Sequence, residues 1–205
     1  ISEIRKITTA LLLLMFFINP SAFSKNSQTL TLATTPWCPY TCNNAHQEFG
    51  AVGSYVTQLL AEQGIELLIR TYPWSRAISL AQNSQVDGLL TATVEEAPQL
   101  LFTTSPIMHY QVCFFTRAKH QWNFDHKVDI ESNRLAVIQD YGYGEPLDSF
   151  LNNKTKNQQV VEISGLEGIS RLIDLLVTNR VDIIAADKNV LKWTMGKENR
   201  PKHLL

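Results

Sequence analysis

The stretch Val86–Pro106, VDGLLTATVEEAPQLLFTTSP, decides the fold that we predict for this chain. Its apolar run 88–90 is short and bounded by turn residues, which is typical of a buried strand in a parallel sheet. Thr91 and Thr93 follow that run with hydroxyl-bearing side chains. Ligands of open α/β sheets collect at the carboxyl ends of strands, so we expect both threonines to line a pocket. A second strand is predicted after the acidic turn, over the apolar residues 100–102.

Strands and helices alternate on both sides of this stretch. Strands are predicted at 29–33, 65–72, 110–116, 135–138, 160–163 and 181–186, and helices at 52–63, 73–83, 145–151, 165–178 and 188–197. Two strand–helix series predict an α/β fold of two lobes, each with a mostly parallel sheet flanked by helices. We assign 25–116 to lobe 1, the polar segment 117–133 to an interlobe connection, and 134–205 to lobe 2.

The composition excludes several classes of protein. The chain has 205 residues, 44% of them hydrophobic and 18% charged, which is unlike a disordered chain. The net charge is -1 and no Lys/Arg cluster is present, so nucleic-acid binding has no support. The five histidines are scattered, and no Ser/His/Asp set stands out. We therefore predict neither metal nor cofactor, and no enzymatic activity.

The N-terminus has the pattern of a secretory signal peptide. Arg5 and Lys6 precede an apolar run over 7–18, and small residues at Ala22 and Ser24 suit a signal peptidase. We predict cleavage after Ser24, so that 1–24 is removed and the mature chain enters the periplasm. The alternative is an uncleaved membrane anchor, for which the apolar run is short.

Three cysteines occur in this exported chain. Cys38 and Cys42 are close enough to pair across a short loop, which leaves Cys113, in an apolar strand, as a buried thiol. A structural disulfide is the preferred interpretation. The alternative is a thiol–disulfide oxidoreductase, because the motif is similar to the Cys-Pro-Tyr-Cys site of thioredoxin-like proteins. One extra residue separates the two cysteines here, which misplaces the resolving thiol.

The combined segments resemble the bacterial family 3 solute-binding proteins, which have the type II periplasmic-binding fold. The matching pieces are LTLATTPWCPY, PWSRA, QVDGLLTATVEEAPQLLFTTSP, LAVIQDYGYG and LIDLLVTNRVDIIAADKNV, which span 29 to about 195. The resemblance implies that two lobes of a monomer close on a small polar solute and deliver it to a membrane transporter. A sensory or partner-binding module of the same fold is the alternative.

Two departures from the family pattern matter. Amino-acid-binding relatives carry an Arg in the turn after the pocket strand, where it binds the solute's carboxylate; Glu96 stands there in this chain. Because a carboxylate repels another carboxylate, an α-amino acid is doubtful as the solute. Glu96 either lines the pocket or is a solvated turn residue. The chain also ends without the family's return to the first lobe, which indicates a C-terminally truncated fragment.

Other candidates come from the first lobe. Trp37, Tyr40 and Trp74 form either an aromatic wall for the solute or ordinary packing. Arg76 lies in the first turn of a predicted helix, where a cation is unfavourable. It either supplies positive charge to the pocket or makes a surface salt bridge.

The remaining candidates belong to the second lobe. Asp140, Tyr141 and Tyr143 flank a predicted helix N-terminus, whose N–H groups can hold an anion. The alternative is an ordinary turn built around its glycines. Asp187 matches the family aspartate that meets a solute's ammonium group. It would also face Glu96 across the cleft, although an acid/base role for this pair is a remote alternative.

Overall fold

The computed structural model describes residues 28–42, 49–125, 130–153 and 159–200. The predicted signal peptide and the last five residues lie outside this part of the chain. The elements are β1 (Gln28–Thr34), α1 (Gly50–Glu62), β2 (Ile65–Thr71), α2 (Trp74–Gln82), β3 (Gly88–Leu89), β4 (Val112–Thr116), β5 (Leu135–Ile138), α3 (Leu147–Leu151), β6 (Val160–Ile163), α4 (Gly168–Val177), β7 (Ile183–Asp187) and α5 (Lys188–Lys197).

The first lobe is built on a parallel sheet with strand order β2-β1-β3. Leu32 of β1 lies opposite Ile69 of β2 on one side and Gly88 of β3 on the other. Helices α1 and α2 cover this sheet: Val52 and Val56 of α1 are buried, and so are Trp74 and three other residues of α2. Apolar residues at helical spacing therefore produce the helix–sheet packing that the sequence predicts.

The second lobe is built on a four-stranded sheet with order β4-β7-β5-β6. Strand β5 pairs in parallel with β6 and β7, while β4 pairs antiparallel with β7. Alternate residues of β7 enter different cores: Ile184 packs with α4, and Ile183 packs with Phe150 of α3. A sheet that is covered on both faces explains why these strands are continuous apolar runs.

The structure corrects the predicted lobe boundary. Val112–Thr116 is a strand, as predicted, but it pairs with Ile183–Asp187 in the second sheet and not with lobe 1. The segment predicted as an interlobe connection also belongs to the second lobe, since Ile130 is fully buried there and Trp122 packs against the same core. The segment 90–111, which we call the connecting segment, packs on the first lobe through Leu90 and Ala97 and leads to β4 of the second lobe.

The second predicted strand of the opening stretch, 100–102, does not form. Leu101 is fully exposed and Phe102 is 37% exposed, and of the three residues Leu100 alone packs against the first-lobe core. Strand β3 is also short, with two residues. Among the described residues, no helix has the length and apolar character needed to cross a membrane.

Candidate functional site

A narrow cleft, with a volume of about 30 Å³, lies between the two lobes. It forms where the carboxyl ends of strands from both sheets meet, as expected for open α/β sheets. Its walls come from the ends of β1, β3 and β7, from the connecting segment and from the turn after β5. The lining residues are Thr35, Trp37, Trp74, Thr91, Thr93, Glu96, Tyr110, Val112, Tyr141, Gly142, Tyr143 and Asp187.

Thr91 begins the segment 91–96 after β3, which we call the polar tip. Its backbone is in the left-handed region, with φ of 71°. A β-branched residue adopts this conformation at a cost of about 1–3 kcal/mol, and such strain concentrates at functional sites. The Thr91 hydroxyl donates to the Leu90 carbonyl, which supports the turn locally. The strained turn directs the chain along the cleft, where the structure places both Thr91 and Thr93.

Glu96 closes the polar tip and bridges the lobes. Its Oε2 accepts a hydrogen bond from the Thr93 backbone N–H (2.8 Å), and its Oε1 accepts one from the Gly142 backbone N–H of the second lobe (2.9 Å). Burial penalises the charged carboxylate and raises the pKa of Glu96 to about 7, although these hydrogen bonds oppose the shift. Glu96 thus lines the cleft and is not a solvated turn residue.

Gly142 of the second lobe lies close to Thr93 and Glu96 of the first lobe. A Cβ atom there would lie 2.9 Å from Thr93 Oγ1 and 3.1 Å from Glu96 Cγ. The Tyr110 hydroxyl of the connecting segment donates to the Gly142 carbonyl (3.2 Å). Both backbone polar groups of Gly142 are therefore bonded across the cleft, and its lack of a side chain permits this approach.

Asp187 lies at the end of β7 and is 4% exposed. Its Oδ1 accepts from the backbone N–H groups of Asn189 (2.8 Å) and Val190 (2.9 Å), so it caps α5. Its Oδ2 accepts from the Gln111 backbone N–H (2.9 Å) in the connecting segment. Asp187 therefore has a structural role at the cleft, in addition to the solute contact that the sequence predicts.

Aromatic side chains cover much of the cleft. The Trp37 ring packs against Tyr40 and edge-on against Tyr110, with centroids 4.8 and 5.5 Å apart. Trp74 meets Tyr141 of the second lobe edge-on at 6.3 Å. Tyr40 lies behind this wall, where its hydroxyl accepts a hydrogen bond from Asn189 Nδ2 of the second lobe (2.8 Å).

Two buried polar atoms at the cleft have no hydrogen-bond partner within the described part of the chain. They are Trp74 Nε1 and Thr93 Oγ1. Both are near enough to Glu96 to lower its pKa, but neither makes a hydrogen bond of good geometry with it. An unmade hydrogen bond on a buried group costs about 1–3 kcal/mol. A solute with suitable polar atoms would recover part of this energy.

The other predicted residues of the second lobe take different positions. Tyr143 is buried, its hydroxyl accepts from the Ile138 backbone N–H (2.7 Å), and burial raises its pKa. Burial likewise raises the pKa of Tyr141. Asp140 is exposed and lines a groove next to the cleft, not the cleft itself. That groove shares Glu96, Tyr141 and Gly142 with the cleft.

Arg76 is not brought to the cleft. It is exposed on α2, where its guanidinium lies 5.6 Å from the centroid of the Tyr72 ring. Cation–π attraction to that ring gives Arg76 a favourable surface position. Arg76 therefore supplies no positive charge to the cleft.

Cys38 and Cys42 form a disulfide beside Trp37, with their Cα atoms 4.8 Å apart. The loop is closed further by the Trp37 backbone N–H, which donates to the Thr41 carbonyl (2.7 Å). Cys113 is a free thiol, but it is half-buried and not fully buried as predicted. Its place on β4, at the edge of the second sheet, explains the exposure.

Sequence reasoning missed four residues of the cleft. Thr35 directly follows β1, so the strand-end argument that found Thr91 and Thr93 applied to it as well. Tyr110 and Val112 belong to a segment whose sequence predicts a lobe 1 strand, and that prediction does not bring them to the cleft wall, where the structure has them. Gly142 carries no side chain, and its place in the cleft follows from the close approach of the two lobes, which the sequence does not indicate.

Comparison with solved structures identifies the fold. A histidine kinase sensor domain with similarity to periplasmic binding proteins aligns over 87% of this chain and 76% of that chain, with a TM-score of 0.70 and 17% identity. An arginine-bound mutant of ArgBP from T. maritima aligns over 84% and 79%, with a TM-score of 0.65 and 15% identity. A solute receptor for L-cysteine of Neisseria gonorrhoeae aligns over 86% and 71%, with a TM-score of 0.63 and 14% identity.

No protein-family model matches the chain, and no curated protein matches it. The structural similarity nevertheless confirms the fold that the sequence resemblance implied. The chain has the two-lobed α/β fold of the type II periplasmic binding proteins, with its cleft between the lobes.

Proposed function

We propose that this chain is an exported binding protein whose two lobes close on a small polar solute. The observation that carries the proposal is the composition of the cleft, whose lining comes from strand ends of both lobes. A solute held there would touch both lobes at once. Contacts that exist only in the closed state shift the equilibrium toward closure.

The known ligands of similar structures support a small solute. The ArgBP structure holds arginine, and the receptor of N. gonorrhoeae is for L-cysteine. We extend to this chain the binding of a small polar molecule in the periplasm, its delivery to a membrane transporter, a monomeric state and the absence of enzymatic activity. The residues that we assign to the solute are those of the cleft, with Asp187 and the aromatic wall foremost.

The test is thermal unfolding of the full chain, exported and purified from a bacterial periplasm, with amino acids, polyamines, organic acids and sugars. A ligand of the folded state raises the unfolding temperature with its concentration. Trp37→Ala removes a cleft wall and is expected to weaken binding about two- to tenfold, since such an aromatic contact contributes about 0.5–1.5 kcal/mol. Trp193→Ala is the matched control, because Trp193 is exposed on α5 and does not line the cleft. A chain that no compound stabilises would overturn the proposal.

A sensory module is the second candidate, and the similarity to a histidine kinase sensor domain favours it. Both candidate functions include solute binding, so solute binding alone does not distinguish them. The measurement that does is whether the solute-bound form binds a membrane transporter. A transport protein is expected to bind a membrane transporter when the solute is present. A sensory module is expected to signal without any transfer of solute across the membrane.

The oxidoreductase alternative concerns Cys38 and Cys42. It predicts that the reduced protein turns over a disulfide substrate. Our proposal predicts no such turnover, and solute binding that survives alkylation of Cys38 after reduction. Sustained reductase activity would favour the alternative.

A further inference from the structure

The charge of the cleft is negative. Among its lining residues, which all belong to the described part of the chain, Glu96 and Asp187 are acidic and none is Lys, Arg or His. A carboxylate solute would meet two carboxyl groups without a compensating cation. Such burial is unfavourable because a buried charge needs a partner of opposite sign. A solute that carries positive charge would have both carboxyl groups as partners of opposite sign.

The aromatic rings of the cleft suit the same charge. Trp37, Trp74, Tyr110 and Tyr141 all line it. The face of an aromatic ring attracts a cation by about 0.5–2 kcal/mol, and Trp is the strongest of the three ring types. Aromatic rings beside carboxylates are a suitable environment for an ammonium group.

The indole N–H of Trp74 adds a second requirement. Trp74 is 4% exposed, it lines the cleft, and its Nε1 has no hydrogen-bond partner among the described residues. An indole N–H is a donor only, and the neighbouring Glu96 carboxylate is not in good hydrogen-bond geometry with it, so an acceptor atom of a solute would satisfy it. The Thr93 hydroxyl, also unpartnered, can donate to the same solute or accept from it. An uncharged hydroxyl or carbonyl oxygen satisfies these groups without bringing negative charge.

The surface beside the cleft has the same sign. The adjoining groove is lined by Glu95, Asp140, Glu145, Asp148 and Glu162, together with the shared Glu96, and by no basic residue within the described chain. A groove of one charge sign raises the local concentration of the opposite ion and its association rate. Cations would therefore be drawn toward the cleft before they bind.

From these observations we propose that the cleft binds a small organic cation that carries an uncharged hydrogen-bond acceptor and no carboxylate. Amino alcohols and amino amides have this chemistry. The ammonium group lies against the aromatic rings and the carboxyl groups of Glu96 and Asp187, and the acceptor meets Trp74 and Thr93. This inference rests on the proposed function, because it names the solute class of the same cleft.

The test compares pairs of compounds that differ at the carboxylate. The pairs are ethanolamine with serine and alaninamide with alanine, measured by calorimetry and thermal shift on the full chain. The member without a carboxylate is expected to bind at least tenfold more tightly in the best-bound pair. Tighter binding of the amino acids, or of a neutral sugar, would overturn this inference and leave the proposed function intact. No binding of any compound would overturn both.

Two variants sharpen the test. Trp74→Phe keeps a ring and removes the N–H group, so it is expected to weaken the binding of alaninamide or ethanolamine severalfold more than that of ethylamine, which has no acceptor. Glu96→Gln removes the carboxylate while keeping its shape, and is expected to reduce the preference for the amine within each pair. Equal losses for ethylamine and ethanolamine in Trp74→Phe, or an unchanged preference in Glu96→Gln, would contradict the assignment of these residues.

Discussion

The Glu96 carboxylate of the first lobe accepts a hydrogen bond from the backbone N–H of Gly142 in the second lobe, with 2.9 Å between Oε1 and nitrogen. This bond places a titratable group at a contact between the lobes. Burial raises the pKa of Glu96 to about 7, which brings its titration into the neutral range. The groups that face it include Tyr110, Tyr141 and Tyr143, whose raised pKa values keep them neutral in this range, and Asp187 lines the same cleft.

Glu96→Gln is expected to remove a pH dependence of stability. Because the folded-state pKa of about 7 exceeds the ordinary 4.5, the stabilisation from Glu96 is fully present below about pH 4.5 and is lost as the pH rises through about 7. This difference corresponds to about 3 kcal/mol. Urea unfolding between about pH 5 and 8 should therefore show wild type losing stability relative to the variant. The control Glu95→Gln, at an exposed neighbour, should follow wild type; parallel curves for Glu96→Gln would contradict the prediction.

Gly142→Ala is expected to hinder closure. The added methyl would meet Thr93 Oγ1 at 2.9 Å and Glu96 Cγ at 3.1 Å. Overpacking of this kind costs about 1–3 kcal/mol, which corresponds to about a five- to hundredfold loss of solute affinity. Calorimetry with the best-bound compound measures the loss. Gly196→Ala in α5 is the matched control, because nothing lies within 4 Å of its Cβ position, and its affinity should equal that of wild type.

The Cys38–Cys42 disulfide is expected to stabilise the first lobe. The cysteines are four positions apart, and a loop this short gives about 2 kcal/mol in the chain-entropy model. Thiol titration in denaturant should find one free thiol, Cys113, without reductant and three with it. Cys42→Ser should lower the free energy of unfolding by about 2 kcal/mol. Three reactive thiols in the untreated periplasmic protein would show that the bond is absent there.

The hydrogen bond between Tyr40 and Asn189 is expected to favour the closed form. It joins the lobes at 2.8 Å outside the solute-lining surface. Tyr40→Phe and Asn189→Ala should each weaken solute binding about two- to tenfold, since such a bond contributes about 0.5–1.5 kcal/mol. The double variant should lose no more than the larger single loss. Additive losses would show that the two residues act independently.

The export prediction is tested by mass. Residues 1–24 lie outside the described part of the chain, and the assignment rests on the charged, apolar and small-residue pattern. Protein recovered from the periplasm is expected to have the intact mass of a chain that begins at Lys25. Retention of the leader, with the protein in the membrane fraction, would favour the uncleaved anchor.

The regular elements were predictable because their periodicity is local. Helix α4, with apolar residues at helical spacing, and the apolar strand β5 both appear close to the predicted bounds. The strand prediction at 100–102 is wrong, because a short apolar stretch has no periodicity that distinguishes a strand from an exposed loop. Strand β4 was found but placed in the wrong lobe, because its partner β7 lies some seventy residues further along the chain.

The candidate site was predictable only where one strand end was sufficient. Thr91, Thr93 and Asp187 follow strands, and the structure brings them to the same cleft. Arg76 and Asp140 are charged residues that the sequence also predicts at the site, yet both lie outside the cleft. The orientation of α2 places Arg76 elsewhere, and the turn after β5 does the same for Asp140. The places of Tyr110 and Gly142 in the cleft depend on the relative position of the lobes, which no local sequence pattern predicts.

The connecting segment has a consequence for how the molecule responds to its solute. Tyr110 and Val112 line the cleft, while the N–H and carbonyl of Gln111 between them bond Asp187 and the backbone of Lys188. Within the described residues this is the single covalent passage from one lobe to the other. A bound solute would therefore contact the backbone that links the lobes. Solute binding would restrict the motion of this backbone directly, without a change in either sheet.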